Sequence, residues 1–202
     1  MKNGVVFLLL LFVGCHRSVE PLVPEPPIGK AYIRVEYDGK TYNYVEGKKG
    51  IIASTNFSSF LNNTTIVGMG GALRDSINNI DWGIVFYFKT EEYQKNTGNF
   101  TKLFDAGKFD YLLLDKSYKP IGERGVVITT SSPLDTSTTY RRANTTLLQK
   151  DDRVRVLEVK KAYFYNLTYD RFIWVEGNFE SWMSGNKKIK GVFRIKVQHD
   201  LK

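Results

Sequence analysis

Ile173–Gln198 reads IWVEGNFESWMSGNKKIKGVFRIKVQ, and its residues alternate with the period of two that an extended strand imposes on side chains. In the first half, Ile173, Val175, Gly177, Phe179, Ser181 and Met183 share one face. Trp174, Glu176, Asn178, Glu180 and Trp182 share the other. Ser184–Lys188 (SGNKK) makes the connection, after which Phe193, Ile195 and Val197 continue the apolar face while Val192, Arg194, Lys196 and Gln198 continue the polar one. The stretch predicts a β-hairpin whose outer face sets two carboxylates opposite two cations, bracketed by two tryptophans.

Working outward, Ala31–Glu46 (AYIRVEYDGKTYNYVE) repeats the pattern. Its two alternating runs flank Asp38-Gly39, a dipeptide suited to the positive φ angles of a two-residue hairpin turn. Ile33 and Val35 should face inward, Arg34 and Glu36 outward. Further strands are predicted at Ile51–Thr55, Thr65–Met69, Trp82–Phe88, Phe109–Leu114, Gly125–Thr130 and Arg153–Tyr165, all rich in β-branched or aromatic residues. Short helical turns are expected at Thr90–Lys95, with Thr90 as cap, and at Asn99–Asp105. Helical periodicity is nowhere sustained over three turns. The fold class is therefore all-β, an antiparallel β-sandwich with one or two short helical turns, forming a single domain over 30–202.

The segment before it is of another kind. Lys2 precedes an uninterrupted apolar run, Val5–Val13, too short to span a bilayer and of the length of a signal-peptide core. It closes on Gly14-Cys15, and a small residue directly before the chain's one Cys resembles the bacterial lipoprotein signal. Phe12 stands where that signal usually carries Leu. The resemblance implies a signal peptide over 1–14 and lipidation of Cys15, which would tie the protein to a membrane. Cleavage by ordinary signal peptidase is the alternative. Pro21, Pro24, Pro26 and Pro27 fall within 15–29, so this stretch reads as a semi-rigid tether.

Composition narrows the chemistry. The 202 residues carry a formal charge of +8, one Cys and two His, His16 and His199, near opposite ends of the chain. One Cys excludes an intrachain disulfide framework and a multi-thiolate metal site, and the long histidine-free body between His16 and His199 disfavours a Ser-His-Asp triad and an HExxH zinc site. No metal site and no cofactor is expected. Basic pairs at Lys48-Lys49, Arg141-Arg142, Lys160-Lys161 and Lys187-Lys188 are dispersed and read as a general positive field on a solvated, solubilising surface and not as a phosphate-reading patch for nucleic acid, with attraction to anionic glycan or lipid headgroups as the alternative.

The strings FTKLFDAGKFDY, GVVIT and VEGNFESW…KIKGVFRIKV, with the opening hairpin, are similar to those of a group of small Bacteroidota lipoproteins of unknown function. The shared features are a lipoprotein signal, a Phe-rich segment leading through Gly into a strand, and a closing pair of G-x-F strands, here Gly177-Asn178-Phe179 and Gly191-Val192-Phe193. The resemblance implies a lipid-anchored all-β domain of the cell envelope and carries over no catalytic residue.

Several features are candidates for function. Trp174 and Trp182, with Glu176, Asn178 and Glu180 beside them, would make a ligand platform able to stack on sugar rings, provided neither ring is covered. Glu176 and Glu180 stand about 13 Å apart along one strand, beyond the about 5–9.5 Å that glycosidase carboxylates need. Cross-strand pairing with Arg194 and Lys196 is their plainer reading. Gly68-Met69-Gly70-Gly71 lacks the residues of a phosphate loop and reads as a turn or bulge. Asp75-Ser76-Ile77 resembles a bacterial O-glycosylation acceptor. The expected function is non-enzymatic: an outer-membrane-anchored envelope lipoprotein that binds a glycan or protein or plays a structural accessory part. The alternative is a carboxylate-dependent envelope glycan hydrolase.

Overall fold

The computed structural model describes residues 29–37, 39–59, 66–96, 100–114, 120–121, 124–131, 143–144, 156–166, 171–183 and 187–198. The signal segment, the tether and Cys15 lie outside them. The strands are β1 (Tyr32–Tyr37), β2 (Lys40–Val45), β3 (Ile51–Ser59), β4 (Ile66–Asp75), β5 (Ile80–Lys89), β6 (Gly107–Phe109), β7 (Leu113–Leu114), β8 (Pro120–Ile121), β9 (Gly125–Thr130), β10 (Ala143–Asn144), β11 (Val156–Asn166), β12 (Arg171–Met183) and β13 (Lys187–Gln198). Helix α1 (Thr90–Lys95) and a 3-10 turn at Phe100–Phe104 separate β5 from β6. Lys89, not Thr90, occupies the N-cap of α1, with no side-chain capping bond.

Two antiparallel sheets make a sandwich-like all-β fold. One runs β2-β1-β13-β12-β11-β6 and the other β10-β9-β5-β4-β3, with β7-β8 as a small separate pair. The opening hairpin is as the sequence predicts: Tyr37 pairs with Lys40, and Gly39 takes a φ of 69° in the two-residue turn between them. Ile33 and Val35 are fully buried while Glu36 is exposed.

The chain passes from one sheet to the other through a tight corner after β2. There Gly47 N donates to Ile51 O and Ile51 N donates to Lys48 O, at 2.8 and 2.9 Å. At the other lateral edge the residues after β6 lace the sheets together. Leu112 N donates to Val126 O, and Val126 N to Asp110 O, each at 2.9 Å. The interior is aromatic: Phe86 and Phe88 each meet the ring of Phe104 edge-on at 5.2 and 5.3 Å, and Phe109 meets Phe86 at 5.2 Å. Such T-shaped contacts set positive ring edges against negative faces.

Two glycine features carry much of the packing. Gly68–Gly71 is neither turn nor bulge: it lies within β4, paired residue by residue with Tyr87–Ile84. The sheets approach so closely there that a Cβ on Gly71 would stand 2.4 Å from Lys196 O and 3.0 Å from the Ile195 side chain on β13. The smallness of Gly71 is thus a sheet-on-sheet contact, whereas a Cβ on Gly70 would meet Ile84 O of the neighbouring β5. In the closing hairpin, the register sets Gly177 opposite Phe193 and Phe179 opposite Gly191. Each phenyl ring lies over the other strand's glycine, and the two rings are 6.4 Å apart. The paired G-x-F motifs are one reciprocal contact.

Candidate functional site

The outer face of the six-stranded sheet receives the candidate platform. Parity places Trp174, Glu176, Asn178, Glu180 and Trp182 there together, on β12, as alternation requires. What surrounds them is decided by the neighbouring strands. Arg194 lies opposite Glu176 on one side and Tyr32 on the other. Its Nε donates to Glu176 Oε1 at 2.8 Å, and its guanidinium carbon sits 5.3 Å from the centre of the Tyr32 ring. Tyr163, on β11, donates its hydroxyl to the same Glu176 oxygen at 2.9 Å.

The Arg194 side chain is only 14% exposed and that of Glu176 22%. Burial pushes the Tyr163 hydroxyl up, and its bond to the Glu176 carboxylate and that group's charge push it further, to about 12. For Arg194, burial works to lower the pKa, but the bond to Glu176 and its charge outweigh it and the net shift is upward. The triad is a partly buried ion pair with a phenol locked onto it.

Lys196 does not pair with the β12 carboxylates. It reaches Glu46, 150 residues away, at 2.6 Å, and the other Glu46 oxygen accepts from Ala31 N at 3.0 Å. Its ammonium lies 5.4 Å from the Trp174 ring centre and 5.5 Å from that of Phe172, whose ring meets Trp174 edge-on at 5.2 Å. Trp174 is consequently 2% exposed. Covered in this way, its ring is not offered to a ligand, and the two-tryptophan platform reduces to the half-buried Trp182. Glu180 is held by Lys188 at 2.5 Å, and Lys190 by Glu36 at 2.9 Å. Of the cross-strand pairs expected from the sequence, Glu176–Arg194 forms and the Lys196 pairing goes elsewhere.

Tyr163 and Glu46 were not among the residues singled out by sequence. Tyr163 faces outward because one extra residue is inserted in β11: Glu158 faces Asn178, but the register shifts between Val159 and Lys161, so Tyr163 and not Ala162 lies opposite Trp174. Such a bulge reverses the facing of everything after it. The adjacent Lys160-Lys161, breaking an alternating run, is the one trace of it in the sequence.

The remaining candidates are placed plainly. A shallow depression of about 320 Å³ lies between β1 and β13, lined by Glu36, Tyr37, Lys188, Ile189 and Lys190. Asp75-Ser76-Ile77 begins the β4–β5 turn. Asp75 Oδ1 accepts from Ile77 N and Asn78 N, both at 3.0 Å, and the Ser76 hydroxyl donates to Gly50 O at 2.8 Å. Hydrogen bonds from Asn78 hold the Asp75 carboxyl below the usual carboxylate range. Among the described residues no three His, Cys, Asp or Glu gather closely enough to hold a metal ion, and no helix is long and apolar enough to cross a membrane.

The triad has a measurable signature. The raised Tyr163 pKa means the folded state holds this proton more tightly than the unfolded chain. Its stabilising effect is fully present below pH 10.0 and is lost as pH rises through about 12. Tyr163→Phe should remove that component: the variant's stability should fall less steeply over this window in urea titrations, and the difference ultraviolet titration should show one late-ionising phenol missing.

No protein-family model matches the chain, and no curated protein and no solved structure is detectably similar to it.

Proposed function

We propose that this chain is a lipid-anchored domain of the bacterial cell envelope, exported to the outer membrane, with a non-enzymatic accessory role. The observation that carries the reading is the order of the N-terminal sequence: Val5–Val13, then Gly14-Cys15, then four prolines within 15–29, leading into the first strand. A short apolar core, an acylatable thiol and a stiff spacer are what hanging a folded domain from a bilayer requires.

The outer face of the six-stranded sheet supports the non-enzymatic part. Its carboxylates are committed to cations, Glu176 to Arg194 and Glu180 to Lys188, and Glu176 accepts a phenol besides. A general acid needs a carboxyl that keeps its proton, and a neighbouring cation opposes that. The glycan-hydrolase reading therefore draws no support from this face. Burial of Trp174 also weighs against sugar stacking across both tryptophans and shifts the accessory role towards contact with a protein or a membrane surface.

The test is fractionation and mass measurement of the expressed protein. The wild-type chain should partition with the membrane and carry acyl mass on Cys15, while Cys15→Ala should lose that mass and pass largely into the soluble envelope fraction. Equal membrane association without acyl mass on either form would refute the anchor.

A further inference from the structure

The corner after β2, the β4–β5 turn and the start of β1 lie at the same end of the sandwich. Ser76 N and its hydroxyl both donate to Gly50 O, at 3.3 and 2.8 Å, joining turn to corner. A Cβ on Gly50 would stand 3.1 Å from Ile77 Cγ1, and one on Gly47 would stand 3.1 Å from Lys30 Nζ. Ile77 is 71% exposed and Ile52 58%, the two most exposed large apolar side chains among the described residues. Around them stand Lys30 at the start of the fold, the exposed Lys48 and Lys49, and Arg74, which lies opposite Ile52.

The carboxylates at this end are already engaged. Glu46 pairs with Lys196, Asp75 accepts from its own turn, and Asp81 lies 3.7 Å from Arg74. The Glu46–Lys196 and Asp81–Arg74 charges cancel and Asp75 keeps its own, so Lys30, Lys48 and Lys49 still leave a net positive rim around two apolar tips. Exposed isoleucines on a hydrogen-bonded turn and strand edge, ringed by lysines, are the chemistry of an interface that rests on anionic lipid: the cations meet the headgroups and the apolar tips enter the acyl boundary.

We propose that this end of the domain is a second membrane contact, which docks on an anionic phospholipid surface through Lys48, Lys49, Ile52 and Ile77. Its setting rests on the anchor reading, because the chain enters the fold at this same end, at Lys30. Its chemistry does not depend on acylation.

The test uses the full chain carrying Cys15→Ser, which cannot be acylated, floated with phosphatidylethanolamine–phosphatidylglycerol vesicles and with phosphatidylcholine vesicles. Each lysine at an anionic surface raises partitioning about fivefold. Lys48→Ser/Lys49→Ser should therefore lower binding to the anionic vesicles by tenfold or more, on the order of the product of two such factors. Ile52→Ser/Ile77→Ser should lower it several-fold. Lys40→Ser/Lys102→Ser, removing the same charge at the opposite end, should leave it within about twofold, since that end stays farther than a Debye length from the surface. Circular dichroism and thermal unfolding identify any variant that has lost its fold.

Equal losses in the two lysine pairs would overturn the proposal in favour of diffuse attraction to net charge. Equal binding to phosphatidylcholine, unchanged by any of these substitutions, would overturn it in favour of the Val5–Val13 run. Failure of the anchor would look different: no acyl mass on Cys15 in cells, with vesicle docking by the unacylated chain intact.

Discussion

Gly191→Val is expected to destabilise the domain by about 3 kcal/mol, the upper end of what overpacking costs in a close-packed interior. A Cβ at this position would stand 2.2 Å from Arg34 O on β1 and 2.6 Å from Phe179 Cζ. The first obstacle is backbone in the middle of a sheet, which cannot rotate away. The second is a ring 2% exposed and already packed against Phe193. Gly177 faces the same problem, 2.2 Å from Glu158 O and 2.8 Å from Phe193 Cζ. For a chain of this length the loss corresponds to a fall in Tm of roughly 6–12 °C, readable by calorimetry.

Trimming the ring separates the two obstacles. Phe179→Leu in the Gly191→Val background should recover part of the ring clash and none of the backbone clash. Val192→Ala, at the 36% exposed residue next door, should stay within about 0.5 kcal/mol of wild type. A Gly191→Val protein that melts at the wild-type temperature would show that the reciprocal Gly–Phe contact is not what positions β12 and β13.

Arg194→Met is expected to cost about 2 kcal/mol, less than the about 3–5 of a fully buried pair because Glu176 keeps some contact with water. The substitution keeps an unbranched apolar side chain but removes the guanidinium, and with it the contact on the Tyr32 ring, so that among the described residues the Tyr163 hydroxyl is left to meet the half-buried Glu176. Arg194 itself is not fully matched, since its Nη1 is buried without a hydrogen-bond partner among the described residues. This is the situation in which removing both members is milder than removing one. The double variant Arg194→Met/Glu176→Met should therefore be more stable than Arg194→Met alone, and the cycle built from urea denaturation midpoints should return a coupling of at least about 1 kcal/mol. Additive losses would show that the pair contributes nothing beyond its packing.

The strands were legible from local pattern because alternation is a property of the extended backbone itself. Ile173–Met183 and Ile189–Gln198 show their inward and outward residues without reference to any partner, and β12 and β13 keep those faces. The hairpin at Gly39 was legible for a similar reason, since few residues tolerate its φ. Gly68–Gly71 was misread because a run of small residues looks the same whether it bends a chain or lets another sheet come close. The distinguishing neighbours, Ile195 and Lys196, lie far along the chain.

The site divides along the same line. The sequence by itself determined that Trp174, Glu176, Asn178, Glu180 and Trp182 share a face, and that the body is mostly strand with short helical turns between β5 and β6. The tertiary structure decided that Lys196 turns to Glu46 and covers Trp174, that Tyr163 faces Glu176 across a bulge, and that Lys30, the lysine corner and Ile77 meet at one end. The physical reason is range. Facing within a strand follows from covalent geometry at every residue, whereas partners across a sheet depend on register, and one inserted residue in β11 is enough to change it.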